Sequence, residues 1–278
     1  MKRIMTIQDI SCIGKCSLTV ALPIISAAGI EAAIVPTAVL STHTQFTGFT
    51  FRDLTDDMES IADHWKKEGF NFDAIYTGYL GSECQIDIVR DYFKSFKGTN
   101  TKIIMDPAMA DNGKLYVGFN EQFAKKMGQL CGEADIILPN ISEACLMLGE
   151  AYPGENAKED VIKDLILKLT KLGSKIVVIT GVELADGTFG FMGYNTEEKE
   201  FFSYGVEKVP HKSHGTGDVF ASAFTGALMN DFDVEKSLEI ASNYTAACIR
   251  NTYEDPEGVD YAVNFESEIP YYLQMLGK

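Results

Sequence analysis

No apolar run in this sequence is long enough to cross a bilayer as a helix, which argues against an integral membrane protein. None of the six cysteines (Cys12, Cys16, Cys84, Cys131, Cys145, Cys248) forms a C-x-x-C pair or stands beside a histidine at zinc spacing. All six are therefore expected reduced, mostly as buried small hydrophobes, with Cys12 and Cys16 on one face if their segment is helical. Bases are scarce, 24 Lys and Arg against 40 Asp and Glu, for a formal net charge of −16. Such a surface repels phosphate backbones and anionic membranes, so neither nucleic acid nor a membrane is expected as a partner. A small anion is not excluded, because backbone N–H groups and one metal ion can override the global field locally. The N-terminal MKRIMTIQDISCIGKC has no apolar segment with a cleavage site, so a signal peptide is not expected and a cytoplasmic location is. Repeats, low-complexity tracts and Pro-, Gly- or Ser-rich linkers are also missing. One domain over residues 1–278 is expected.

What is present is an alternation of short apolar runs with longer helical patterns. Strands are expected at 3–8, 32–40, 72–80, 101–107, 134–140 and 175–181, and a hairpin at 188–194 and 198–204 around Asn195-Thr196. Helices are expected at 15–28 (with Leu18, Leu22 and Ile25 on one face), 55–68, 83–96, 119–131, just after 140, 158–172, 216–229, 234–250 and 265–275. IIMDP, IILPN and VVITG lack period-2 alternation. They read as strands buried on both faces, hence an α/β fold with an open, mostly parallel sheet flanked by helices. Ligands of such sheets bind beyond the C-terminal strand ends, where the polar pairs DP, PN, TG and GY fall.

Four constellations carry chemistry. In SHGTGDVFASAF (213–224) the apolar spacing from Val219 onward is helical, so a helix begins within GTGD. Gly215 and Gly217 permit a tight turn, and the free N–H groups and positive dipole end suit a phosphate. Asp218 reads either as a first-turn acid that stabilises the helix or as a base that takes a proton from a hydroxyl. In IIMDPAMADNGKLY, Asp106 and Asp111 read either as Mg²⁺ ligands at a strand end or as turn residues. In ILPNISEA, Asn140 and Glu143 have capping-box spacing, which does not prevent Glu143 from reaching a metal-bound water. The 41–53 loop, STHTQFTGFTFRD, holds His43, Thr44, Phe46, Phe49 and Phe51, and reads either as a flap over a flat ring or as packing onto the body.

Taken in order, TIQD (6–9), STHTQ (41–45), TGYLGS (77–82), MDPAMADNG (105–113), LPNISEA (138–144), VITG (178–181) and GTGD (215–218) resemble the ribokinase-like superfamily of small-molecule kinases. Within it they resemble the pyridoxal/pyridoxamine (vitamin B6) kinase branch, over nearly the whole chain. The resemblance implies a three-layer α/β/α sandwich, a mostly parallel central sheet with antiparallel edge strands, and a flap-like loop near 41–53. It implies ATP-dependent phosphorylation of the 5'-hydroxymethyl group of B6 vitamers. Asp218 would be the base, with Gly215, Thr216 and Gly217 as the anion hole. Asp106, Asn140, Thr180 and Gly217 would meet ATP, with Asp111 and Glu143 organising Mg²⁺. Asp9, His43, Thr44 and Tyr79 would hold the vitamer, and residues near 205–214 would border nucleotide or substrate. A monovalent cation such as K⁺ and a homodimer are further expectations of the same resemblance.

Two departures matter. Members of the branch carry serine where this chain has Asp9, a carboxylate able to accept a hydrogen bond from a ring hydroxyl or to attract the amine of pyridoxamine. This gives an expected leaning toward pyridoxamine or pyridoxine over pyridoxal. His214, directly before GTGD, either lines the site or caps the turn. The glycine pair of the sugar kinases is missing. Hydroxymethylpyrimidine kinases of the superfamily usually show GTGC, which leaves pyrimidine phosphorylation as the alternative enzyme. A non-catalytic vitamer-binding protein is the alternative outside enzymes.

Overall fold

The computed structural model describes residues 1–154, 156–211 and 213–278. Its central sheet has nine strands: β1 (Arg3–Ser11), β2 (Glu31–Leu40), β3 (Phe51–Asp53), β4 (Ala74–Thr77), β5 (Lys102–Met105), β8 (Ile136–Ile137), β9 (Ile176–Glu183), β10 (Phe189–Asn195) and β11 (Glu200–Val206). Their order is β11-β10-β9-β8-β5-β4-β1-β2-β3. The six strands from β9 to β2 run parallel, while β3 and the β10–β11 hairpin add antiparallel edges. A separate small hairpin joins β6 (Ala110–Asp111) to β7 (Lys114–Leu115).

Period 2 along the buried strands splits the core into two layers. Met5, Ile7, Ile75, Ile103, Met105, Ile137 and Val177 point to one face. There they meet α2 (Thr55–Glu68), α3 (Glu83–Phe96), α4 (Glu121–Cys131), α5 (Ile141–Leu148) and α6 (Glu159–Thr170). Ile4, Ala74, Tyr76, Ile104, Ile136 and Val178 point the other way. Their partners are α1 (Leu18–Ala27), α7 (Thr216–Leu228), α8 (Val234–Glu254) and α9 (Ile269–Met275). The result is a three-layer α/β/α sandwich, the architecture expected when both faces of a parallel sheet must be covered.

Several local expectations change. The helix expected from residue 15 starts at Leu18, because Lys15 and Ser17 both hold φ near +52° and cannot be helical. Cys12 and Cys16 therefore share no helix face; Cys12 is exposed with Cys84, and the other four are buried. Leu22 is 38% exposed, and the buried stripe of α1 is instead Leu18, Val20, Ala21, Ile24 and Ile25. The 41–53 loop ends in β3, paired with Ala38–Leu40 at the sheet edge. The 134–140 strand shrinks to two residues, since Pro139 offers no N–H to a ladder. The final helix opens with a 3₁₀ turn at Glu266–Glu268.

Candidate active site

Helix α1 joins β1 to β2 on one face, and α2 leads from the β2 side to β4 on the other. The strand order therefore reverses between β1 and β4. The crevice beyond their C-terminal ends is where open α/β sheets bind ligands. Asp9 lies near the end of β1 and Tyr79 just past β4. Asp9 is 4% exposed and accepts a hydrogen bond from the Ser11 hydroxyl at 2.9 Å, with the Ser17 hydroxyl close by. Burial pushes its pKa up. Burial also pushes the Tyr79 phenol up to about 12, with Asp9 contributing. Tyr79 lines a cavity of about 230 Å³ with Thr44, Phe49, Phe51, Gly81, Val117, Gly118 and Phe119. The Tyr79 and Phe119 rings are 5.5 Å apart, and Phe119 stacks on Phe123 at 3.9 Å. The pocket is flat-walled and aromatic, with Thr44 as its polar side chain apart from Tyr79.

The aromatic loop divides its work. Phe49 and Phe51 face this cavity, whereas Phe46 packs on His43 and Tyr261, both at 5.0 Å. His43 is buried, and both ring nitrogens are engaged. Nε2 donates to the Tyr261 carbonyl at 2.8 Å, and Nδ1 accepts the Gln45 N–H at 3.3 Å. That pattern is a neutral imidazole, in keeping with a pKa lowered by burial. His214 stacks on it at 4.3 Å, with its own pKa held down at about 4 by burial and by His43. His43 thus ties the loop to the C-terminal segment, and His214 braces the turn that leads into α7.

At that turn Gly215 has φ +80°, and a β-carbon there would lie 2.4 Å from the Lys15 carbonyl. The same crowding occurs at Gly14 (φ +125°), where a β-carbon would sit 2.0 Å from His43. Glycine is required at both places because two loops are pressed together. Helix α7 then begins at Thr216, with its first N–H groups unpaired and no side-chain cap. Asp218 sits in this first turn, with the Ser17 backbone N–H close by. Burial raises its pKa to about 7. A β-carbon on Gly217 would have Asp106 Oδ2, at 3.9 Å, as its nearest neighbour, so the turn faces that carboxylate at van der Waals range.

Asp106 follows β5 and is buried; burial, then Glu143 and Asp218, push its pKa well up. Glu143 completes a capping box on α5. Its Oε2 accepts the Asn140 N–H at 2.8 Å, and Asn140 Oδ1 accepts the Glu143 N–H at 2.9 Å. Glu143 Oε1 also accepts the Met109 N–H at 3.1 Å, and Asn140 Nδ2 donates to the Ala110 carbonyl at 2.9 Å. Capping therefore positions the strand-end loop that carries Asp106. Thr180 is bridged to Asn140, the residue that caps α5 beyond β8, and its N–H donates to the Pro139 carbonyl at 2.9 Å. Asp111 is exposed on the small hairpin, folded onto the N–H and side-chain amide of Asn112. Its charge still helps raise the pKa of Glu143. Among the described residues no three His, Cys, Asp or Glu stand close enough to hold a metal ion by themselves. Buried acids with raised pKa fit a hard cation held through water and ligand oxygens, not a closed protein cage.

A second cavity, of about 510 Å³, lies between β11 and α8, lined by Tyr204, Gly205, Val206, Asn243, Ala246, Ala247 and Arg250 among others. Through Phe191 of β10, Tyr204 stands level with Thr180. The cavity thus opens at the same sheet edge. Ser17, Tyr76 and Tyr261 lie close to Asp9, Asp106, Asp218 and His43 and escaped the sequence reading. The sequence placed Ser17 inside the helix expected from residue 15.

The open, mostly parallel sheet with antiparallel edges, covered by helices on both faces and with a crevice where its strand order reverses, has the ribokinase-like α/β architecture. The phosphomethylpyrimidine kinase family model matches residues 22–261, and the chain belongs to that family. A crystal structure from Bacteroides thetaiotaomicron described as a phosphomethylpyrimidine kinase, in a form with pyridoxal, is 36% identical with a TM-score of 0.92. That match covers 98% of this chain and 95% of the other. Pyridoxal kinase from Lactobacillus plantarum is 28% identical with a TM-score of 0.89, over 99% of this chain and 98% of that one. Pyridoxal kinase of Arabidopsis thaliana is 28% identical over 197 residues, 67% of this chain and 61% of the plant protein. The matched part therefore spans about three fifths of that relative's length. No described helix is long and apolar enough to cross a membrane.

Proposed function

We propose that this chain transfers the terminal phosphoryl group of ATP to the 5'-hydroxymethyl group of vitamin B6 vitamers. The observation that carries the reading is the position of Asp218. It is a carboxylate with pKa about 7, in the first turn of α7, on the same short loop contact as Asp9 in the switch-point crevice. The family match and the relative crystallised with pyridoxal support the same substrate class. Asp218 accepts the hydroxymethyl proton as that oxygen bonds to the phosphorus and the bond to ADP breaks. The N–H groups of Gly215, Thr216 and Gly217 receive the charge on the transferring oxygens. Thr44 and Tyr79, with Asp9, hold the ring, and His43 keeps their loop in place.

Asp106, Asp111, Asn140 and Glu143 face the nucleotide phosphates, and Asp111 and Glu143 would hold Mg²⁺ through water. When bound, the ion supplies charge neutralisation between the phosphates. Thr180 borders the nucleotide, and the cavity beside α8 suits its base. A K⁺ requirement and a homodimer belong to the same reading, checked by activity with K⁺ replaced by Na⁺ and by sedimentation.

Pyrimidine phosphorylation is the second reading, favoured by the family's own description and by a 26% identical hydroxymethylpyrimidine/phosphomethylpyrimidine kinase of Aquifex aeolicus. A coupled ADP-release assay with Mg²⁺-ATP separates the two. Pyridoxal, pyridoxamine, pyridoxine and hydroxymethylpyrimidine are run in parallel, and turnover of B6 vitamers is expected. Turnover of the pyrimidine alone overturns the B6 reading. Vitamer binding without turnover points to a binding protein.

A further inference from the structure

Among the described residues the Asp9 carboxylate is buried without a counter-charge. Its hydrogen-bond donor, the Ser11 hydroxyl, and the nearby Ser17 hydroxyl are neutral. His43, the nearest imidazole, is locked as the neutral tautomer between the Tyr261 carbonyl and the Gln45 N–H. Burial keeps the Cys16 thiol protonated, and Asp218 on the other side is itself an acid. Lys15, adjacent in the chain, turns its ammonium outward to Asn264 at 3.1 Å and Glu266 at 2.9 Å. Among the described residues no cation pairs with Asp9. A buried carboxylate in that state is costly, and donors that fix its orientation do not remove the cost.

We propose that the missing counter-charge comes from the substrate: Asp9 recognises a protonated primary amine and makes the chain selective for the amine vitamer, pyridoxamine. The inference rests on the B6 reading above and specifies it. An alkyl ammonium remains charged at neutral pH, whereas the aldehyde of pyridoxal and the alcohol of pyridoxine offer no such charge at that position. Spacing supports the match. The 15–17 segment lies between the two acids, with Ser17 bridged to Ile10, next to Asp9, and with Lys15 and Cys16 against Gly215 at the head of the turn that carries Asp218. The two carboxylates therefore stand close together across one short segment. In pyridoxamine the aminomethyl and hydroxymethyl groups sit on adjacent ring carbons, so one molecule can present its cation to Asp9 and its hydroxyl to Asp218. That segment holds an unusual backbone at Ser17, φ +52° and ψ −131°, with Ser17 bridged to Ile10 and Lys15 packed against Gly215.

The test compares kcat/KM for pyridoxamine, pyridoxine and pyridoxal in the wild type, Asp9→Asn and Asp9→Ser. Calorimetric binding of each vitamer without ATP is measured alongside. The wild type is expected to favour pyridoxamine over pyridoxine by about tenfold or more, and both variants to lower that ratio by about tenfold to a hundredfold, the usual effect of losing one charge-assisted contact. A wild-type preference for pyridoxal or pyridoxine overturns the inference. An equal loss on all three vitamers also overturns it, because Asp9 would then read a group they share. Asp9-dependent binding of pyridoxamine with turnover of no vitamer supports the amine site while overturning the kinase reading.

Discussion

The two ends of the crevice are built differently. At the ring end the walls are side chains from loops far apart in sequence: Thr44, Phe49 and Phe51, then Tyr79, then Val117 to Phe119. At the phosphoryl end the groups sit on strand ends and helix starts: Asp106 after β5, Glu143 in the first turn of α5, Asp218 in the first turn of α7. The ring end is apolar apart from its edge. The phosphoryl end gathers three acids whose pKa values are all raised by burial. The difference is one of support: the acids sit where backbone geometry fixes them most rigidly, and the aromatic cavity is shaped by loops.

The comparison breaks most sharply at Asp218. Asp218→Asn is expected to lower kcat by ~10²–10⁴-fold with little change in ATP affinity, as loss of a general base does. Activity within a few-fold of wild type would remove Asp218 from the mechanism. The same residue sets the pH dependence. The base must be ionised, so kcat/KM is expected to rise with pH through about 7 and level off above it. The limb should be lost in the Asn variant, and a flat wild-type profile would contradict the assignment.

The turn offers a finer cut. A methyl at Gly217 meets nothing closer than Asp106 at 3.9 Å, so Gly217→Ala should fold normally. It intrudes where phosphate oxygens go, and kcat is expected to drop about tenfold to a hundredfold with Tm nearly unchanged. Gly215→Ala places its methyl 2.4 Å from the Lys15 carbonyl at a left-handed φ, and should instead cost about 1–2 kcal/mol or more of stability. Denaturant melts and steady-state rates on both variants separate the outcomes. If the two behave alike, the turn has one role, not two. The smallest effect belongs to the ring end. Phe49→Ala removes one wall and is expected to raise KM for the vitamer roughly five- to tenfold with kcat nearly intact, in line with partial loss of apolar contact. A kcat effect larger than the KM effect would mean that this loop also orients the hydroxyl.

Much of this was legible in the sequence. The apolar runs without alternation identified buried parallel strands, and the polar residues at their ends marked one edge of the sheet, where Asp106, Asn140 and Thr180 lie. The GTGD turn and the N-x-x-E cap were also legible, because a helix start writes its requirements into adjacent residues: glycine for a left-handed turn, Asn and Glu for mutual capping. The segment 12–17 was not legible. Its pattern reads as the first turn of a helix, and only the pressure of Gly215 on Lys15 explains why the chain stays left-handed there. Nor could spacing tell that Phe46 faces the body while Phe49 and Phe51 face the cavity, since Tyr261 holds the loop from more than two hundred residues away.

By itself the sequence determined the alternation of strands and helices, the acidic surface and the identity of the acids at the strand ends. These are local or compositional properties, set by side-chain period and by which residues tolerate a turn. Tertiary structure alone decided that Asp9 and Asp218 stand close together across the 15–17 segment and that His43 is neutral and structural. It also decided that Asp106 is buried facing the first turn of α7 and that Glu143 is buried beside it. Those outcomes depend on which loops are pressed together and on how much water is excluded between them, and neither quantity exists until the chain has folded.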